Sequence, residues 1–387
     1  MPVCKPKVKK IFIAFSIIVF LIVVKVFWGN IATRNHGSFE TEKQEILQRR
    51  NYLADRLVTT PSELLVRMPR AIGKQFQGEW AIYSCSMFTA ALVNIARLYP
   101  EEREVSLRLI NEIIQIALSP EIRRYDAVRW GEEPLESLSG ENSHISYLSH
   151  LAWMIGGYRA IGGGPQFDDL HDELCAAMNR RILQSPSLNL LTYPGEFIYV
   201  PDMLVAIVAL SDYACQHNGK YATTVEHWET RMREEFLDPS TGLIPSFLPS
   251  VSTEGTLPVK GSYTALSCYY LTLVDPVMAR EQYDCLKKHF LKERPITGIK
   301  EYAEKSQFLA FDIDAGPIIC GLSPTGTAFA TGSATLFQDT TFRRSILKTA
   351  EQAGTTVTFA DKTHYALADI ALVGEAIMLA MRTNLQP

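Results

Sequence analysis

Cysteine is scarce in this chain: seven among 387 residues, with no CxxC pair. That excludes the common zinc-ligand spacings and a dense disulfide framework. Charged residues make up only 21%, and the first 30 residues contain no acid at all. Five lysines stand there (Lys5, Lys7, Lys9, Lys10 and Lys25), so 38 basic residues leave 33 for the rest of the chain against 42 acids. An acidic body excludes nucleic acid as the partner, because phosphate binding needs a basic face. What is plentiful is apolar. At 47% hydrophobic and 10% aromatic, the chain can bury a large core and does not have the composition of a disordered one.

The first apolar stretch is a membrane signal. Residues 11–28 are apolar except for Ser16, Lys25 and the aromatic end at Trp28. Eighteen helical residues rise about 27 Å, close to the thickness of a bilayer's hydrocarbon core. Lys25 sits where its stem reaches outward, and Trp28 suits the interface. Four lysines before the span place the N-terminus in the cytoplasm and the body outside it, in a periplasmic or equivalent space. No convincing small-residue cleavage site follows, which favours an uncleaved anchor over a signal peptide. The expected division is residues 1–30 as cytoplasmic stub and anchor, 31–40 as linker and 41–387 as one folded domain.

Helical periodicity dominates that domain, in two alternating kinds. Charged, one-striped segments fall at 41–58, 103–118, 167–184, 221–236, 276–290 and 340–353. Segments apolar nearly all round fall at 80–98, 143–161, 201–217, 261–273, 316–336 and 365–382. A helix apolar on every side must be enclosed. Six outer and six inner helices in alternation predict an all-α fold, an (α/α)6 toroid of six hairpins behind the transmembrane helix. Connections entering the inner helices are the long ones, and long connections in a compact domain are usually functional. Cys85, Cys215, Cys268 and Cys320 fall on inner segments and read as buried thiols. Gly162-Gly163-Gly164 reads as a helix C-cap and turn, and Gly321 to Gly326 as part of the inner segment 316–336.

Polar and aromatic residues gather where the inner segments begin. Candidate catalytic residues are Glu196, Asp202, Asp312, Asp314 and His144. Candidate substrate-binding residues are Trp80, Tyr83, Asn142, Tyr147, Tyr199, Lys260, Tyr263, His364 and Tyr365. If those starts converge, acids and aromatics line one funnel. Paired carboxylates are what glycoside chemistry needs: one protonates the leaving oxygen while the other activates water or attacks carbon. Duller readings stand beside this one. Asp202 follows Pro201 in a first helical turn, Asp312 or Asp314 could cap a helix, and His144 could be a capping or core histidine. Nothing calls for a metal or cofactor. His171 and Cys175 have i, i+4 spacing but no third ligand.

The alternation, the rim acids and Asp312-Ile313-Asp314-Ala315-Gly316-Pro317 followed by Gly321 and Thr325-Gly326 resemble the six-hairpin toroid enzymes, among them glycoside hydrolases, polysaccharide lyases and sugar epimerases. Ser146 to Leu151, Met154 to Tyr158 and Tyr199 to Leu210 also resemble linalool dehydratase-isomerase-like toroids. Those enzymes use a pair of rim cysteines, and no cysteine stands near Glu196. The resemblance therefore implies fold more than reaction. The expected function is a membrane-anchored enzyme using rim carboxylates for acid–base chemistry on a glycan. The alternatives are a hydratase or isomerase acting on a non-sugar molecule, and a non-catalytic envelope protein binding a glycan or peptide.

Overall fold

The computed structural model describes residues 39–69, 73–303, 309–313 and 315–384, with scattered positions between 13 and 31. Asp314, Trp28 and residues 1–12 lie outside the described residues. The described positions between 13 and 31 are helical and turn their apolar side chains outward, Phe20 and Phe27 each being 65% exposed.

From residue 39 the protein is mostly helical, as the periodicity predicts. The helices are α1 (Phe39–Leu57), α2 (Pro61–Arg67), α3 (Lys74–Leu98), α4 (Arg103–Ala117), α5 (Pro120–Trp130), α6 (Ile145–Ala160) and α7 (Asp168–Gln184). They continue with α8 (Val200–Gln216), α9 (Ala222–Arg231), α10 (Gly261–Leu271), α11 (Pro276–Phe290), α12 (Pro324–Leu336), α13 (Thr340–Gly354) and α14 (Leu372–Arg382). Two kinds are again distinct. In α6 every residue from Ile145 to Tyr158 is buried, and α10 is buried throughout. In α4 the buried residues Ser106, Leu109, Ile110, Ile113, Ile114 and Ala117 repeat at helical spacing, leaving one face for solvent.

The enclosed helices pack in a definite succession. Helix α3 lies against α6, α6 against α8, α8 against α10, α10 against α12, α12 against α14, and α14 against α3. The succession therefore closes on its first member. The striped helices α1, α4, α7, α9, α11 and α13 each pack on members of this inner set. The region Phe76–Leu98 is long and apolar enough to cross a bilayer, but it is largely buried in the fold and serves as a core helix. A cavity of about 190 Å³ remains inside, bordered by residues from the last turns of all six inner helices or just beyond them.

Connections leaving an inner helix are short, and the long ones entering α8, α10, α12 and α14 carry small two-stranded antiparallel pairs, whereas those entering α3 and α6 carry α2 and α5. β1 (Ile198–Tyr199) pairs with β2 (Phe247–Leu248), tying the approach to α8 to the approach to α10. β3 (Leu291–Lys292) pairs with β4 (Gly298–Ile299), and β5 (Leu309–Asp312) with β6 (Gly316–Ile319), both before α12. β7 (Thr356–Phe359) pairs with β8 (Lys362–Tyr365) before α14.

These strands correct two expected helix starts. Residues 316–319 form β6, and α12 begins at Pro324, where the Ser323 hydroxyl accepts from the Gly326 amide as an N-cap worth about 1 kcal/mol. Gly316 and Gly321 have φ of +77° and +76°, a left-handed backbone that breaks helical continuation. The segment from Gly321 to Gly326 thus spans a turn and a helix start rather than a helix interior. Residues 365–371 likewise precede α14, because the β-branched alternation from Thr356 to Thr363 favours a hairpin. Cys320 sits in the turn after β6 and Cys215 is exposed, so only Cys85 and Cys268 of the four expected buried thiols are buried. Glycine is obligatory at the start of α10. A Cβ on Gly261 would stand 1.9 Å from the Lys300 carbonyl oxygen.

Candidate functional site

The phenol of Tyr193, carried by the long connection before β1, gathers groups from four helices. Its hydroxyl lies 3.1 Å from Ser146 Oγ on α6, which in turn lies 3.1 Å from the Tyr125 hydroxyl on α5. The same phenol lies near the Glu79 carboxylate on α3 and feels the charges of Glu79 and of Asp202 on α8. Burial first, then the Glu79 charge, pushes the phenol well above its usual range, so it stays a proton donor at neutral pH. Asp202 is buried and accepts from Thr192 Oγ1 at 3.0 Å. Helices α3 and α8 are not neighbours in the inner succession, so the two carboxylates reach this phenol from separate directions of the core.

Behind this group lies a second layer of aromatic and polar side chains. Tyr270 of α10 faces Tyr83 of α3, and the Tyr83 ring meets His150 edge-on at 5.2 Å. His150 Nδ1 is 2.8 Å from Ser86 Oγ, and burial lowers its pKa to about 3, which keeps the imidazole neutral. Tyr270 also packs edge-on to Trp153 at 5.6 Å. Trp80 and Tyr83 are half-buried.

A second polar group stands where α10 begins. Lys260 Nζ lies 2.6 Å from Asp312 Oδ2, at the end of β5, and 5.2 Å from the Tyr263 ring. Asp312 Oδ1 also accepts from the Ala315 amide at 3.0 Å, so this carboxylate organises its own turn as well. Tyr263 and Tyr199 meet edge-on at 5.0 Å, with Phe247 against both. Behind the ion pair sits Glu301, fully buried, accepting from the Ser262 amide at 3.2 Å and from its hydroxyl at 2.9 Å. Burial pushes this carboxyl up to about 7, with the Asp312 charge adding to the rise and the Ser262 hydrogen bond opposing it.

Glu301 therefore makes stability depend on pH. The folded state holds a proton that the unfolded state, with an ordinary carboxyl pKa, releases earlier, so stability falls as pH rises from about 4.5 towards 7. Glu301→Gln removes that titration. Its stability relative to the native chain should rise by up to roughly 3 kcal/mol between pH 4 and pH 8. Urea unfolding at the two pH values checks this, and an unchanged difference would contradict the buried, protonated carboxyl.

The remaining candidates take other positions. His144 is fully buried at the entry to α6 with a left-handed φ of 50°. Its Nδ1 lies 2.5 Å from Asp126 on α5, and its Nε2 lies 3.2 Å from both Glu132 and Ser137. Both ring nitrogens are thus engaged by the protein. Asn142 donates to Glu132 at 2.8 Å, and Arg181 donates to the carbonyls of Ser137, Gly140 and Ser143. The arrangement fastens the connection before α6. Tyr147 donates to the Ala117 carbonyl at 3.0 Å within the core. Glu196 is exposed and paired with Arg129 at 3.0 Å, and that guanidinium covers the Tyr193 ring at 4.1 Å. His364 stacks on Tyr52 at 4.0 Å, and Tyr365 lies under Arg49 at 4.3 Å, both on β8 rather than on an inner helix.

The candidates thus fall into two main groups: Asp202 and Tyr83, both near Tyr270, and Lys260, Asp312, Tyr263 and Tyr199 at the α10 start. Three residues of these surroundings were passed over: Glu79, Tyr193 and Glu301. Glu79 had a signal, since it is the one charged residue between Gln77 and Ala96. Among the described residues no three His, Cys, Asp or Glu side chains converge as metal ligands would. No protein-family model matches this chain, and no curated protein matches it in sequence.

Proposed function

We propose that this chain is a membrane-anchored (α/α)6 toroid enzyme that cleaves a glycan by acid–base chemistry outside the cytoplasmic membrane, with Glu79 and Asp202 as its carboxylate pair. The observation that carries the reading is the buried Tyr193 phenol, within the fields of both Glu79 and Asp202, two acids from non-neighbouring inner helices. The closed succession of inner helices, with one cavity bordered by all six, supports the toroid. Half-buried Trp80 and Tyr83 supply aromatic surface for sugar rings on the helix that carries Glu79, and half-buried Tyr199 supplies more at the α10 start.

In this reading one carboxyl group delivers a proton to the leaving glycosidic oxygen. The other carboxylate removes a proton from the attacking water, so glycoside and water become two sugars. Tyr193 lies near Glu79 as a neutral proton donor, and neutral His150 keeps charge out of the layer behind. The Lys260–Asp312 pair sits where a bound chain would extend.

The test is release of reducing ends by the full-length protein, in detergent, from a panel of polysaccharides. Release that disappears in Asp202→Asn supports a hydrolase. Binding of a glycan without release transfers the site to the binding-protein class, and turnover of a non-sugar alcohol transfers it to the hydratase class.

The outward apolar side chains between residues 13 and 31, behind four lysines, support the anchor. Deleting residues 1–30 should move the protein from the membrane pellet to the supernatant. Retention in the pellet after a high-salt wash would point to another apolar attachment.

A further inference from the structure

The cavity at the far ends of the inner helices belongs to neither carboxylate group described above. We propose that it is a second binding site, for a small zwitterion whose ammonium group meets Asp212 and whose anionic group meets Arg97. Both residues border the cavity, Asp212 near the end of α8 and Arg97 in the last turn of α3. They feel each other's charge, since Arg97 opposes the rise in the Asp212 pKa, yet no ion pair joins them. Burial pushes the Asp212 carboxyl up to about 6, so at neutral pH it is mostly ionised, and it keeps partial exposure to the cavity. Opposite charges held apart across one space form a template for a molecule carrying both.

Three further observations point to a ligand. The Thr89 hydroxyl borders the cavity, is buried at 2% exposure, and has no hydrogen-bond partner. Such a group is costly to leave unsatisfied. Asn94 and Asn384 also border the space. Their amide nitrogens are already engaged by the protein, Asn94 with Thr383 Oγ1 at 3.4 Å and Asn384 with the Gly332 carbonyl at 3.1 Å and Thr272 Oγ1 at 3.3 Å, which leaves their amide oxygens as acceptors. Finally, helix C-termini carry partial negative charge, and six of them end around this space, favouring an ammonium within it. Exposed Arg97 then stands at the mouth for the anionic end. A cavity of about 190 Å³ is large enough to admit an amino-acid-sized molecule.

Calorimetry on the full-length protein in detergent tests this with glycine, β-alanine and γ-aminobutyrate as zwitterions of graded span, and with butylamine and butyrate as singly charged controls. At least one zwitterion should bind more tightly than both controls. Asp212→Asn and Arg97→Gln should each weaken that binding at least about tenfold, while glycan turnover is unchanged. Thr89→Val keeps the side-chain shape, so it should weaken binding while raising the melting temperature of the ligand-free protein. Failure of all three zwitterions to bind, binding of butylamine as tight as theirs, or binding that survives Asp212→Asn would each overturn the proposal.

Discussion

Asp202→Asn is expected to lower turnover on a cleaved glycan by about 10²–10⁴-fold, the usual cost of removing a general acid or base. Its melting temperature should change little, because the amide keeps the shape and can still accept from Thr192. Glu79→Gln should do the same, with one difference. It leaves an uncharged amide near the Tyr193 phenol in place of a carboxylate, so Tyr193→Phe should reproduce part of the loss of turnover in the native background and less in Glu79→Gln. By contrast Glu196→Gln should leave turnover nearly intact, since an exposed pair with Arg129 contributes little and its carboxylate faces solvent. Equal and full activity in Asp202→Asn and Glu79→Gln would remove both from the chemistry. Loss of activity only through unfolding would make them structural.

What the sequence made legible follows from how each signal arises. Burial on all sides leaves a mark that survives without a structure, and Met203 to Leu210 or Ser146 to Tyr158 could only be enclosed. The alternation of such segments with striped ones is equally direct, because each residue reports its own surroundings. The entries to α12 and α14 were less readable. Gly316-Pro317 looks like a helix start, but the left-handed backbone at Gly316 and pairing with Leu309 to Asp312 turn it into a strand. Pairing depends on a partner segment, and periodicity within one segment does not report it. The acids divide the same way. Asp202 follows a proline in an apolar helix and stands out, whereas Glu301 lies in a polar connection and gains its raised pKa only from folding against Ser262. His144 reads from the sequence as either a catalytic or a capping histidine, and its buried partner Asp126, on a helix outside the predicted segments, makes it a residue that holds a connection in place.

Glu42→Gln should cost about 3–5 kcal/mol of stability, the range for breaking a buried charge network on one side. Glu42 is 1% exposed and receives three charge-assisted hydrogen bonds. Arg343 grips both its oxygens at 2.8 and 3.0 Å, and Arg382 donates to one at 2.9 Å. Arg382 continues to Glu45 at 2.7 Å, and Arg49 links Glu45 to buried Glu375. The network thereby joins α1 to α13 and α14, where the beginning of the domain meets its end. Burial alone would raise the Glu42 carboxyl, but Arg382 and Arg343 outweigh it and hold the pKa below the usual value. The stabilisation is therefore complete above the ordinary glutamate range and is lost as pH falls through the lowered folded-state pKa. Urea unfolding should show the full deficit of Glu42→Gln at pH 7 and a much smaller one near pH 3. A deficit below about 1 kcal/mol at pH 7 would mean that the guanidinium groups find other partners or water.

The most direct measurement is a structure of full-length Glu79→Gln soaked with an oligosaccharide that the native enzyme cleaves. A sugar ring should lie against Trp80 or Tyr83, with its glycosidic oxygen within hydrogen-bond reach of Asp202 or of position 79 and the chain leading towards Lys260 and Asp312. A sugar bound only beside exposed Glu196, or only in the cavity of Asp212 and Arg97, would contradict the placement of the chemistry at Glu79 and Asp202.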